Sequence, residues 1–99
     1  MKLVFMSSAD ADLERIGDWI AQDNPSRALS FIREVRLVCS VLPEMPRGFP
    51  LVPRYEMKGL RRMSHGSYLI FYRVMEHQIE VVHVLNGARD YEPILFPQS

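Results

Sequence analysis

Ninety-nine residues, 47% of them hydrophobic, suffice for one packed domain and are too apolar for a wholly disordered chain. Twelve Lys and Arg balance twelve Asp and Glu, so net charge singles out no class of partner. The single cysteine, Cys39, excludes an intramolecular disulfide framework and a cysteine-based zinc site, and no apolar run approaches the ~20 residues that span a bilayer.

In chain order, Met1 to Met6 is too short for a signal peptide, so a cytoplasmic location is expected. Leu3-Val4-Phe5-Met6 suits a short strand. Ser7 or Ser8 then offers a helix cap, with Asp10, Asp12 and Glu14 near the positive end of the helix dipole. Leu13, Ile16, Trp19 and Ile20 recur at three- and four-residue spacing, which assigns them, Trp19 included, to a core face of a helix ending near Asp23. Asn24-Pro25 is a cap followed by a proline at the first helical position. The second helix carries Ala28, Leu29, Ile32, Val35, Cys39 and Leu42 on one face, widened by Phe31, Val38 and Val41, and Pro43 and Pro46 end it. Cys39 within that stripe reads as a buried structural thiol. The two helices form an antiparallel hairpin.

Residues 43–53, with four prolines and Gly48, read as a loop. Beyond it the period changes to two. Tyr68, Ile70, Tyr72 and Val74 alternate with Leu69, Phe71 and Arg73, and Ile79, Val81, His83 and Leu85 alternate with Glu80, Val82 and Val84. Met75 to Gln78 turns one run into the other. Tyr55 to Met63 is a weaker strand interrupted by Gly59. The expected architecture is a single α+β domain over residues 1–99, in the order β-α-α-β-β-β, with a helical hairpin packed on one side of a mainly antiparallel sheet.

These elements resemble the ParE-type toxins of the RelE/ParE superfamily. The resemblance is carried by Leu13, Ile16 and Trp19-Ile20, by Asn24-Pro25 with Ala28, by Pro46-Arg47-Gly48, by Leu60-Arg61 with Tyr68, and by Phe71-Tyr72-Arg73-Val74. Its most specific part is His83-Val84-Leu85-Asn86-Gly87-Ala88-Arg89-Asp90, similar to the family's closing Val-Leu-His-Gly-Ala-Arg-Asp, with Asn86 where histidine is commoner. The resemblance implies the toxin of a type II toxin–antitoxin system, neutralised by a cognate antitoxin. ParE-like toxins are understood to poison DNA gyrase, while RelE-like relatives cut messenger RNA on the ribosome; a degenerate toxin that only binds its antitoxin is a third reading. Fold alone does not choose among these.

Ribonucleolysis needs cations to stabilise the charged phosphorane and a proton donor for the leaving oxygen. Where the nuclease branch commonly carries an arginine after the tyrosine matching Tyr68, this chain has Leu69. His65 and His77 in turns and His83 in a strand have no obvious catalytic acid partner in sequence, and no catalytic residue is assigned. No Gly-rich phosphate loop, metal triad or Ser/His/Asp arrangement is present, so neither cofactor nor metal is expected, and direct nucleic-acid binding is not indicated.

Acids crowd the first quarter of the chain and arginines the second half, so a neutral protein can still present a basic face. The candidates for contact with target or antitoxin are Arg61, Arg62, Tyr68, Arg73 and Arg89, with Ile94, Leu95 and Phe96 of the tail. Arg61 and Arg62 point to opposite faces if they lie in a strand. Tyr68 is read as core or contact, and Arg89 either pairs with Asp90 or Glu92 or serves the partner. The tail, apolar between Pro93 and Pro97, either folds back on the sheet or forms a contact.

Overall fold

In the computed structural model, which describes residues 1–97, the first strand, β1 (Lys2–Phe5), leads into helix α1 (Ser7–Ala21). Neither serine caps that helix. Met6 occupies the cap position, and its carbonyl accepts the first bond from Asp10 N at 3.0 Å. Ser8 lies inside the first turn and donates its hydroxyl to the Val82 carbonyl instead. Helix α2 (Pro25–Cys39) starts as expected: the Asn24 side chain accepts from Arg27 N at 3.1 Å, and Pro25 sits where no N–H is needed. It ends at Cys39, ahead of Pro43, in a series of turns.

The sheet comprises β2 (Leu60–His65), β3 (Tyr68–Val74) and β4 (Gln78–Asn86), with β1 laid alongside. Spatial order is β1-β4-β3-β2; β1 runs parallel to β4 and the other pairs are antiparallel. The weak strand is shorter than its sequence pattern, because Glu56–Lys58 form a 3-10 turn closed by Gly59 at φ +80°. Its outer edge is covered by the proline-rich segment, where Arg62 N reaches Pro50 O and Val52 N reaches Leu60 O.

β3 is central, and both its faces are buried. Ile70 and Tyr72 face the helices and pack with Leu13, Phe31, Val35 and Cys39. Phe71 faces the other way into a second core with Val52, Leu60, Leu85 and Phe96. The short helix α3 (Glu92–Leu95) and Phe96 close that second face. Of the two readings of the tail, the folded-back one is realised, with Phe96 stacked on Tyr55 at 4.2 Å between centroids. Gln98 and Ser99, the end of the expected domain, lie outside the described residues.

Three expectations are corrected. The strict alternation of β4 breaks at a bulge: Tyr72 pairs with Val81 but Phe71 with His83, so Val82 is one residue too many. Beyond the bulge the phase is inverted, and Val84, not Leu85, joins Ile79 and Val81 on the helix side. Leu29 is 58% exposed, because the buried stripe of α2 turns through Ala28, Phe31, Val35 and Cys39 toward the sheet. Trp19 is not core at all: it is 67% exposed.

Candidate functional site

The displacement of Trp19 follows from helix geometry. At 3.6 residues per turn, Ile20 returns to the stripe of Leu13 and Ile16, while Trp19 falls roughly 100° behind Ile20, on the edge shared with Asp12 and Arg15. That edge is pinned to the bulge. Buried Asp12 accepts from Val84 N at 2.9 Å and lies 2.7 Å from His83 Nδ1, and Arg15 bonds its other oxygen at 2.9 Å. Together with the Ser8–Val82 bond, these contacts place Arg15 and Trp19 beside the far end of the sheet.

There Tyr68, opening β3, faces Asn86, closing β4. The chain then turns back tightly. Gly87 N bonds Ser67 O at 2.8 Å, Ala88 N bonds the Asn86 side chain at 2.9 Å, and Arg89 N bonds Asn86 O at 3.0 Å. A Cβ on Gly87 would lie 3.3 Å from the Ser67 carbonyl, so the approach favours glycine. This turn delivers Arg89 to a cleft of about 210 Å³ lined by Arg15, Ile16, Trp19, Tyr68, Val84, Leu85, Asn86 and Arg89. A second hollow of about 420 Å³ adjoins it through Trp19, Tyr68 and Asn86 and extends to Arg27, Phe31 and His65. In the second hollow Arg27 binds Glu34, which also bonds His65 Nε2 at 3.2 Å. Arg27 first, then His65, holds the Glu34 carboxyl below the ordinary carboxylate range.

Of the residues marked in the sequence, only Tyr68 and Arg89 meet in this cleft. Arg61 and Arg62 do point to opposite faces: Arg61 donates to Phe49 O at 2.8 Å, and Arg62 to the Tyr91 hydroxyl at 2.8 Å. Arg73 pairs with its cross-strand neighbour Glu80 at 2.7 Å. Ile94 and Leu95 are half-buried against the second core, and Phe96 is buried in it. Glu92, offered as a partner for Arg89, is instead bound by Arg54. Among the described residues Arg89 has no ion pair, and its side chain is exposed. Leu69 is half-buried against the second core, on the face away from the helices.

Sequence reasoning missed Arg15 and Asn86, and took Trp19 for core. The signal for the α1 edge was present as Asp12, Arg15 and Trp19, a polar run at i, i+3, i+7 beside the apolar stripe.

Among curated proteins none matches the chain. A solved chain described as "Chromosomal ParDE TA system from P. aeruginosa" superposes with a TM-score of 0.73 at 21% identity, over 87% of this chain and 95% of that one. That likeness is one of fold. The family model described as "ParE toxin of type II toxin-antitoxin system, parDE" matches residues 3–91, from the first strand through the turn that carries Arg89. On that match the chain belongs to the ParE toxin family of type II toxin–antitoxin systems.

Proposed function

We propose that this toxin arrests growth by binding DNA gyrase through its surface, and that a cognate antitoxin neutralises it by binding in turn. The observation that carries the reading is that, of the four arginines marked in the sequence, three are engaged elsewhere in the fold. Cutting RNA requires cations that converge on one phosphate. Here Arg61, Arg62 and Arg73 are each engaged by Phe49 O, Tyr91 and Glu80. Arg89 is the open one of the four, and with Arg15, held by Asp12, it lies beside exposed Trp19 and half-buried Tyr68. Trp, Tyr and Arg are the residue types that dominate the energetics of protein–protein contacts.

One observation favours the ribonuclease reading: His65, bonded to Glu34, sits in the adjoining hollow next to Tyr68. A histidine oriented by a carboxylate is a recurrent general base. Both readings are tested in the same induced cells, with plasmid supercoiling and primer extension on abundant transcripts scored together. The expected result is loss of supercoiling with intact transcripts, unchanged in His65→Ala. Site-specific cuts with supercoiling intact, abolished in His65→Ala, would overturn the gyrase assignment.

A further inference from the structure

Resting on the gyrase reading, we infer that the cleft at the end of α1 is a socket for one large apolar side chain of the target, flanked there by a carboxylate. Buried Ile16 and Val84 line the cleft together with exposed Trp19 and half-buried Tyr68, and Arg15 and Arg89 add two guanidinium groups. An open cleft of about 210 Å³ with a mainly apolar lining has room for a single large side chain rather than for a helix or a strand. Trp19 stands 67% exposed in a domain whose two cores are filled by other residues. Burial against a partner removes that surface from water.

Charge decides the neighbour of the inserted side chain. Among the described residues Arg89 lacks a carboxylate, and of the acceptors a partner can offer a guanidinium at an interface a carboxylate matches both its charge and its fork. Arg15 keeps its place through Asp12, which is 4% exposed and already accepts from Val84 N, so the outer N–H groups of Arg15 remain available. The other groove on the helical hairpin carries Asp10, Glu14 and Asp18 along α1 against Arg36, which pairs with Asp10, so its lining is net acidic and disfavours the same segment. The occupant is therefore an acidic segment bearing a large apolar residue, directed to the cleft and away from the hairpin groove.

The experiment measures the toxin concentration that half-inhibits purified gyrase, alongside affinity for the product of the adjacent antitoxin gene. Trp19→Ala and Arg89→Glu should each raise that concentration by about thirtyfold or more, while Trp19→Phe keeps most of the inhibition. Leu37→Ser, which removes a 71%-exposed apolar residue from α2, should match the unaltered protein. Melting temperatures of all variants are compared, so that unfolding is not mistaken for lost contact. Inhibition by Trp19→Ala equal to that of the unaltered toxin would sink the socket and leave the gyrase reading standing. An unaltered toxin that spares gyrase would overturn both. If Trp19→Ala weakened only the antitoxin complex, the cleft would belong to the antitoxin, and the assignment to the target would be wrong.

Discussion

Asp12 sets the geometry of the cleft from beneath. A carboxylate 4% exposed is costly unless each oxygen is satisfied, and here Val84 N, His83 and Arg15 satisfy it. Asp12→Ala would leave Val84 N–H buried without an acceptor, and should cost about 2–3 kcal/mol in urea denaturation. Asp12→Asn keeps an oxygen for that N–H and should cost less. Equal losses in the two variants would mean that the charge, not the backbone bond, holds α1 to the bulge. Cys39 illustrates the opposite case of a group with no such role: burial pushes its thiol up to about 12, and it is packed entirely within the helix-side core.

At the scale of elements, α3 and Phe96 seal the face of the sheet that the helical hairpin leaves open. Phe96 is 8% exposed and stacks on Tyr55 at an interplanar angle of 13°. Phe96→Ala should cost about 3 kcal/mol, the low end for an aromatic removed from a core, since Phe96 is held by a helix of only four residues that can partly relax. Equilibrium denaturation measures it; a change below about 0.5 kcal/mol would mean that the tail is not a structural closure. The element order, the Asn24-Pro25 corner and the two faces of β3 were legible because each rests on local patterning that tertiary packing leaves intact. The phase of β4 was not: one extra residue in Val81-Val82-His83-Val84 inverts it, and a run of valines looks apolar in either register. Within the cleft, Tyr68 was readable from the strand pattern, and Arg89 from the resemblance of the closing Gly87-Ala88-Arg89-Asp90 to the family. Trp19 was not, because a three-residue step continues a helical stripe as well as it leaves one.

For the molecule as a whole, acid is the condition that dismantles its ion pairs. Arg73 first, then Gln78, holds Glu80 below its ordinary value of 4.5, and Glu34 is lowered likewise by Arg27 and His65. A carboxylate lowered on folding adds stability above its unfolded value, and that contribution disappears as pH falls through the lowered one. Glu80→Gln should therefore reduce the urea midpoint at neutral pH, and the gap from the unaltered protein should close below about pH 4. A gap that persisted undiminished at about pH 3 would refute the role assigned to the Arg73–Glu80 pair.

The parallel pairing of β1 with β4 sets Lys2 beside Gln78 and Phe5 beside Val81. On a ribosome β1 emerges more than seventy residues before β4, its neighbour in the sheet. The hairpin of α1 and α2 must wait with its apolar face uncovered, because β3, which covers it, also lies beyond residue 67. Domains complete as units once their long-range contacts can close. The cleft itself joins α1 to Asn86 and Arg89, so it comes into being only once Arg89 has emerged. A cell translating this toxin thus has the time taken to extend the chain from α1 to Arg89 before the cleft exists, an interval in which an antitoxin made alongside it can already be folded and waiting.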